Sequence, residues 1–227
     1  MQGIKKQVSK NKMGKLVNSV QQLRKSEIKN TIDKKLRIFT DFNKKNNNEW
    51  FGEMCFCILT ANSKAKTAIA VQKEVTALGF CAMCFDDLRG AIKRNKHRFH
   101  NNKAKFIVEA RKNMNIKDII KPIAEKEGRK GQLDAREWLV KNIKGLGYKE
   151  SSHFLRNVGY FDLAVLDRHI LNLMKDDGMI AEKPKSLNRK KYLEIEEKFR
   201  QLAGKLGMSC AELDLYLWYI KTGWVLK

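Results

Sequence analysis

Proline is almost missing from this chain, with 2 residues in 227, and alternating runs of β-branched residues are few. Lys, Glu, Leu and Ala dominate instead, so a strand-rich fold is excluded and an all-α protein is predicted. No stretch of about 20 apolar residues occurs, which excludes a membrane-spanning helix. The opening MQGIKKQVSKNK has no apolar core of the kind a secretory signal needs, so neither a leader nor a membrane partner is expected. Cysteine is sparse and odd in number (Cys55, Cys57, Cys81, Cys84, Cys210), with three of the five in apolar surroundings. That usage predicts reduced thiols in an intracellular protein of the cytoplasm or nucleoid. Cys81-Ala-Met-Cys84 has no second pair and no histidine cluster beside it, which is not a zinc pattern. Acidic residues are also scarce: 25 Asp and Glu stand against 47 Lys and Arg, for a formal net charge of +22. Solubility does not require such an excess, and it implies a polyanionic partner, nucleic acid first. A basic membrane-surface protein would gather its charge on one long amphipathic helix, whereas here Lys and Arg recur along the whole chain.

The apolar residues repeat at helical spacing. Leu16, Val20 and Leu23, then Ile28, Ile32, Leu36 and Phe39, predict one or two basic amphipathic helices in the first 48 residues. Residues 50–60, WFGEMCFCILT, are apolar on nearly every side and predict a buried central helix. Ala61-Asn62-Ser63 interrupts it, with Ser63 expected to cap a helix over 65–78 that Gly79 stops. Asn62 stands at the mouth of the buried helix, where a side-chain amide can bond a base; a turn-forming Asn is the alternative. Residues 93–112 hold eight Lys or Arg and one acid, with Phe99 and His100 interleaved. Such a stretch can track phosphates while an aromatic wedges between bases, or it can be a basic helix with Phe99 in the core. Residues 128–131 (GRKG) read as a loop before a helix from Asp134. Ser209 with Glu212 three residues on predicts a capping box for the last helix.

Residues 141–170, KNIKGLGYKESSHFLRNVGYFDLAVLDRHI, organise the rest. Gly145 and Gly147, one residue apart between two helical segments, suit a tight hairpin, with the helix-hairpin-helix at about 137–157. Exposed glycine amides followed by a helix N-terminus make a set of N–H donors for one phosphate. Lys149 opens the second helix and Asp167 precedes another apolar-periodic run. A free lysine amine beside a bound sugar can form a Schiff base, and a carboxylate can stabilise a developing cation. The plain alternatives are a phosphate contact for Lys149 and an N-cap for Asp167.

IKGLGYKESSHFLRNVG followed by AVLDRHIL resembles the helix-hairpin-helix and Gly/Pro-Asp loop of the base-excision DNA glycosylase superfamily, whose bifunctional members carry a lysine two residues after the second hairpin glycine. WFGEMCFCILTAN and the ending WYIKTGWVLK make the chain more specifically similar to the archaeal-type (type 2) 8-oxoguanine DNA glycosylase/AP lyases, over about residues 50–227. The resemblance implies that Lys149 attacks C1′ of a flipped nucleoside, that Asp167 stabilises charge, and that the Schiff base leads to β-elimination. It implies that His169 contacts a phosphate and that Asn62 faces the opposite base, with Phe99 and His100 the candidate wedges. It implies that Trp218 stacks on the lesion and that Lys227 presents a main-chain carboxylate to it. The four-cysteine iron–sulfur loop of many relatives is absent, and Gly159-Tyr160-Phe161-Asp162 replaces their glycine-proline element. No cofactor is therefore expected, beyond a cation that the hairpin backbone can accommodate.

The expected fold is two helical lobes with a DNA-binding cleft between them: residues 56–162, and residues 1–55 with 163–227. The expected partner is double-stranded DNA containing 8-oxoguanine, bound by a monomer. The competing readings are a non-catalytic helix-hairpin-helix DNA-binding protein, a glycosylase for another damaged base, and a basic structural or ribosome-associated protein.

Overall fold

The structure, a computed structural model, describes the chain from Ile4 to Lys227, with side chains from Gly14 onward. The opening segment MQGIKKQVSKNK lies outside these described side chains. Twelve α-helices and one short 3₁₀ turn make up the described residues, and no strand occurs among them. They divide into two compact units, one of Phe39–Tyr160 and one of Phe161–Lys227 with the residues up to Ile38. A break at residue 55 would have cut a buried helix, and the boundary falls instead inside α2 (Ile28–Phe42).

The Phe39–Tyr160 unit is built around α3 (Asn47–Thr60), of which every residue from Trp50 to Thr60 is buried. Asn46 caps it through a reciprocal capping box with Glu49, satisfying donors that a helix start leaves open. The Trp50 ring lies edge-on to Phe154 and Tyr160 (5.8 and 6.4 Å between centroids) and its indole N–H reaches the Phe42 carbonyl at 3.2 Å. Glu53 is buried, and a buried carboxylate needs partners. It accepts from Gln72 at 3.0 Å and Asn157 at 2.7 Å, which ties α3 to α4 (Ala65–Ala82) and α9 (Tyr148–Asn157).

Two predicted boundaries move. Lys64, not Ser63, precedes α4, and Gly79 lies inside its last turn, where its carbonyl accepts from Met83 N–H at 2.9 Å. The interruption is at Thr76 (φ 62, ψ 172), a conformation rare for a β-branched residue. The GRKG segment is the first turn of α8 (Gly128–Asn142) and not a loop. A Cβ at Gly131 would come within 2.6 Å of the Ile123 carbonyl and 2.7 Å of the Ala124 carbonyl. Glycine there allows α8 to pack on the end of α7 (Ile116–Ala124). Between α4 and α7 lie α5 (Phe85–Arg94), capped by the Cys84 thiol, and α6 (His100–Ala110).

The other unit holds α1 (Ile4–Arg24), α10 (Arg168–Asp176), α11 (Arg189–Leu206) and α12 (Cys210–Thr222). The segment before Asp167 has no regular structure and is pinned to α11. Tyr192 donates to the Ala164 carbonyl at 2.7 Å and accepts from Leu166 N–H at 3.3 Å, and buried Glu196 accepts from Ala164 N–H at 3.0 Å. These bonds hold the approach to Asp167 where a proline is lacking. Ser209 caps α12 by accepting from Glu212 N–H at 3.1 Å.

Candidate functional site

The glycine hairpin joins α8 to α9. Ile143 N–H bonds the Leu139 carbonyl at 2.9 Å and Leu146 N–H bonds the Ile143 carbonyl at 3.2 Å, closing the turn. The two glycines differ in what they do. Gly145 has φ +93, and a Cβ there would meet the Phe106 ring at 2.7 Å and Ile58 at 3.4 Å. Gly147 has the ordinary extended φ of −93, and a Cβ there would meet only the end of the Glu150 side chain at 3.2 Å. Its N–H donates to that same carboxylate at 3.3 Å. Gly145→Ala should therefore lower stability by about 1–3 kcal/mol through backbone strain and the ring contact, while Gly147→Ala should cost clearly less. Thermal unfolding of the two variants side by side checks the order.

Lys149 is the second residue of α9, its side chain 23% exposed, with its ammonium 3.5 Å from a Glu150 oxygen. The mount beneath it is rigid. Arg136 is fully buried, with its guanidinium 5.4 Å from the Tyr148 ring centroid and donating to Ser152 at 3.1 Å. Tyr148 in turn donates to Glu137 at 2.7 Å.

A second lysine lies beneath this corner, one of the eight basic residues of the 93–112 stretch. Lys103 is 5% exposed and donates to the Ile58 carbonyl at 2.6 Å. Burial chiefly, with repulsion from Lys149 adding to it against the pull of Glu150, brings its pKa down to about 8. Periodicity carries the signal: Lys103 shares a helix face with Ile107 and Ala110, which both point inward. The next carbonyl of α3, that of Leu59, holds the buried His97 ring at 2.9 Å, and His97 Nδ1 accepts from Phe99 N–H at 3.2 Å. These bonds set the tautomer with Nε2 protonated, and burial keeps the His97 pKa below its ordinary value. Two side chains thus satisfy carbonyls that the end of α3 leaves open.

The residues considered for the opposite base and wedge gather around the same helix end. Asn62 is exposed at φ 57, a left-handed position that suits Asn in a turn. Phe99 is half-buried with the Arg98 guanidinium 4.4 Å from its ring centroid, and His100 is half-buried with Nδ1 3.3 Å from the His97 carbonyl. Phe99 is thus outside the deep core.

In the other unit, Asp167 caps α10, with one oxygen accepting from both His169 and Ile170 N–H at 2.8 Å. The cap uses Oδ1 alone, so Oδ2 is outside it. The His169 and Trp218 rings meet edge to face at 5.3 Å, and the Trp218 indole nitrogen is buried without a hydrogen-bond partner. Lys227 is half-buried at the end of the same unit. Among the described residues no three His, Cys, Asp or Glu side chains gather in a way that could hold a metal ion, and no helix is long and apolar enough to cross a membrane.

The family model described as 8-oxoguanine DNA glycosylase matches residues 32–208. A relative from Methanocaldococcus jannaschii, named 8-oxoguanine DNA glycosylase/AP lyase, is 48% identical over 212 residues, which is 93% of this chain and 99% of the relative. The crystal structure of a Methanocaldococcus jannaschii 8-oxoguanine glycosylase/lyase in complex with a 15mer DNA containing 8-oxoguanine superposes with a TM-score of 0.88 at 47% identity, covering 93% of this chain and 99% of that one. That of the 8-oxoguanine DNA glycosylase of Thermotoga maritima does so with a TM-score of 0.87 at 38% identity, covering 95% and 100%.

Proposed function

The chain belongs to the 8-oxoguanine DNA glycosylase family, and on that premise we propose that it is a bifunctional repair enzyme that excises 8-oxoguanine from duplex DNA and then cleaves the abasic strand. One observation carries the reading from family to residue. Lys149 follows the glycine hairpin directly, on the first turn of α9, partly withdrawn from water.

The lesion is extruded from the duplex at a cost of a few kcal/mol of unstacking. The free amine of Lys149 attacks C1′, a C–N bond forms, and the bond to the oxidised base breaks, with the base leaving as an anion that takes up a proton. Opening of the sugar ring leaves a Schiff base. Loss of a C2′ proton then expels the 3′ phosphate by β-elimination, and water releases the lysine. Asp167 stabilises the positive charge that develops at the sugar. Gly145 and Gly147, bare of side chains, let the hairpin approach the DNA backbone, and His169 contacts a phosphate beside the flipped nucleotide. Trp218 and Lys227 face the base, while Asn62 with Phe99 or His100 serves the opposite strand. A monomer acting on chromosomal DNA in the cytoplasm or nucleoid fits these roles.

Borohydride reduction of the enzyme with an 8-oxoguanine duplex tests the reading. A covalent protein–DNA complex is expected, and none with undamaged duplex. Failure to trap with 8-oxoguanine, alongside trapping with a different damaged base, would move the assignment to that lesion. Equal binding of damaged and undamaged duplex with no trapping at all would leave a non-catalytic DNA-binding module.

Trp218→Ala separates base reading from strand chemistry. A base stacked on an aromatic is worth about 1–3 kcal/mol, so 8-oxoguanine excision should fall by about 5- to 150-fold. Cleavage of a preformed abasic site, which has no base to stack, should stay near the parent rate. An equal fall in both activities would remove Trp218 from base recognition.

A further inference from the structure

We propose that Lys103 is a positioning residue for Lys149: it ties the last turn of α3 to α6 at the corner where the hairpin leading into α9 packs. The inference rests on the reading of Lys149 as nucleophile.

The geometry carries it. Ile58 offers its carbonyl to Lys103 at 2.6 Å and its side chain to the Gly145 position at 3.4 Å. Phe106, one turn after Lys103 on α6, touches the same glycine, and the Lys144 ammonium lies 5.8 Å from the centroid of its ring. The Lys103–Ile58 bond therefore joins the two elements on which the hairpin rests. An apolar residue in its place would leave the Ile58 carbonyl, at a buried helix end, without its donor.

A lysine is a demanding choice for this task, because burying an ammonium costs free energy that a neutral donor would not. The α3 end presents only carbonyls here, a favourable place for a cation because the C-terminal end of a helix is its negative pole. The titratable and charged groups around Lys103 are Lys149 and Glu150 from α9 and, on its own side, His97, whose Nδ1 accepts from Phe99 N–H and whose pKa burial lowers. Lys144 is engaged with Glu109 at 3.6 Å on the outer side of the hairpin. Lys103 and Lys149 repel one another, and that repulsion helps to bring Lys103 into the range where it changes charge near pH 8.

Two measurements test the role, one on the protein alone and one on the reaction. Removing the neighbouring charge in Lys149→Gln should move the titration of Lys103, followed by NMR of its labelled side-chain carbon, to higher pH. In single-turnover borohydride trapping at pH 7, Lys103→Met should react about 10- to 100-fold more slowly, the scale of a small misplacement of a reacting group, with duplex affinity unchanged within about twofold. Lys103→Arg keeps a donor and a charge and should retain most of the rate at pH 7. Because a guanidinium does not titrate near neutrality, the ratio of parent to Lys103→Arg rates should change through pH 8. An unmoved titration in Lys149→Gln, or a ratio constant from pH 7 to 9, would overturn the proposal, and the second comparison holds even where Lys103→Met fails to fold. Trapping that survives in Lys149→Gln would instead sink the nucleophile reading beneath it.

Discussion

Lys149→Gln should abolish covalent trapping and lower strand cleavage by about a thousandfold or more, the scale of losing a covalent nucleophile, while affinity for the damaged duplex stays within a few fold. The expectation rests on where the side chain sits. It is 23% exposed, outside the buried core of its unit, and its neighbour across the ion pair is Glu150, itself largely withdrawn from solvent. Glutamine preserves polarity and most of the length, so α9 should keep its start, which depends on Gly147, the Glu150 carboxylate and the Arg136–Tyr148 mount. What is lost is the amine. Binding draws on a chain carrying +22, and one charge fewer weakens phosphate attraction only slightly. Residual trapping at more than about one hundredth of the parent rate would show that another amine reacts, with Lys103 the first to examine.

Asp167→Asn is expected to lower base excision by about 10²- to 10³-fold, the cost of removing one preorganised electrostatic contact, while leaving the fold almost unchanged. The two roles of Asp167 are separable because capping requires an acceptor oxygen and not a charge. An asparagine oxygen can take the His169 and Ile170 amide bonds that Oδ1 now accepts at 2.8 Å, and Asn ranks with Asp as an N-cap. Only the attraction of a carboxylate for the positive helix end is forfeited, about 0.3–1 kcal/mol. Asp167→Ala should lose both roles, with about 0.5–2 kcal/mol of stability gone as well. Thermal midpoints and single-turnover excision of the three proteins side by side decide the matter. Parent-like excision by Asp167→Asn would reduce the residue to a helix cap.

The local features of the fold are legible in the chain itself. The apolar run at Trp50–Thr60, the Asp167 cap, the Ser209 cap and the hairpin between two helices all follow from spacing over a few residues, and helix formation is governed at that range. Sequence and structure part where a residue's local preference and its distant neighbours disagree. GRKG carries two glycines and reads as a loop, yet Gly131 is required by the carbonyls of Ile123 and Ala124 against which α8 closes. Thr76 adopts a backbone conformation that no propensity would assign to it. Gly145 and Gly147 look equivalent in the motif, but only Gly145 has the positive φ and the aromatic ring against it.

Composition and pattern by themselves determined that the protein is helical, strongly basic and built around a hairpin followed by a lysine, because proline content, charge balance and helical periodicity are properties of the chain. The family is already visible in the order of hairpin, lysine and aspartate. Tertiary structure alone decided what supports those residues. Tyr192 and Glu196 on α11 hold the approach to Asp167, and Lys103 finds its acceptor 45 residues away at Ile58. Burying a charged or hydroxyl group costs free energy that a hydrogen-bond partner offsets, and for Lys103, Tyr192 and Glu196 that partner is supplied by how the helices pack and not by the residues beside them in the chain.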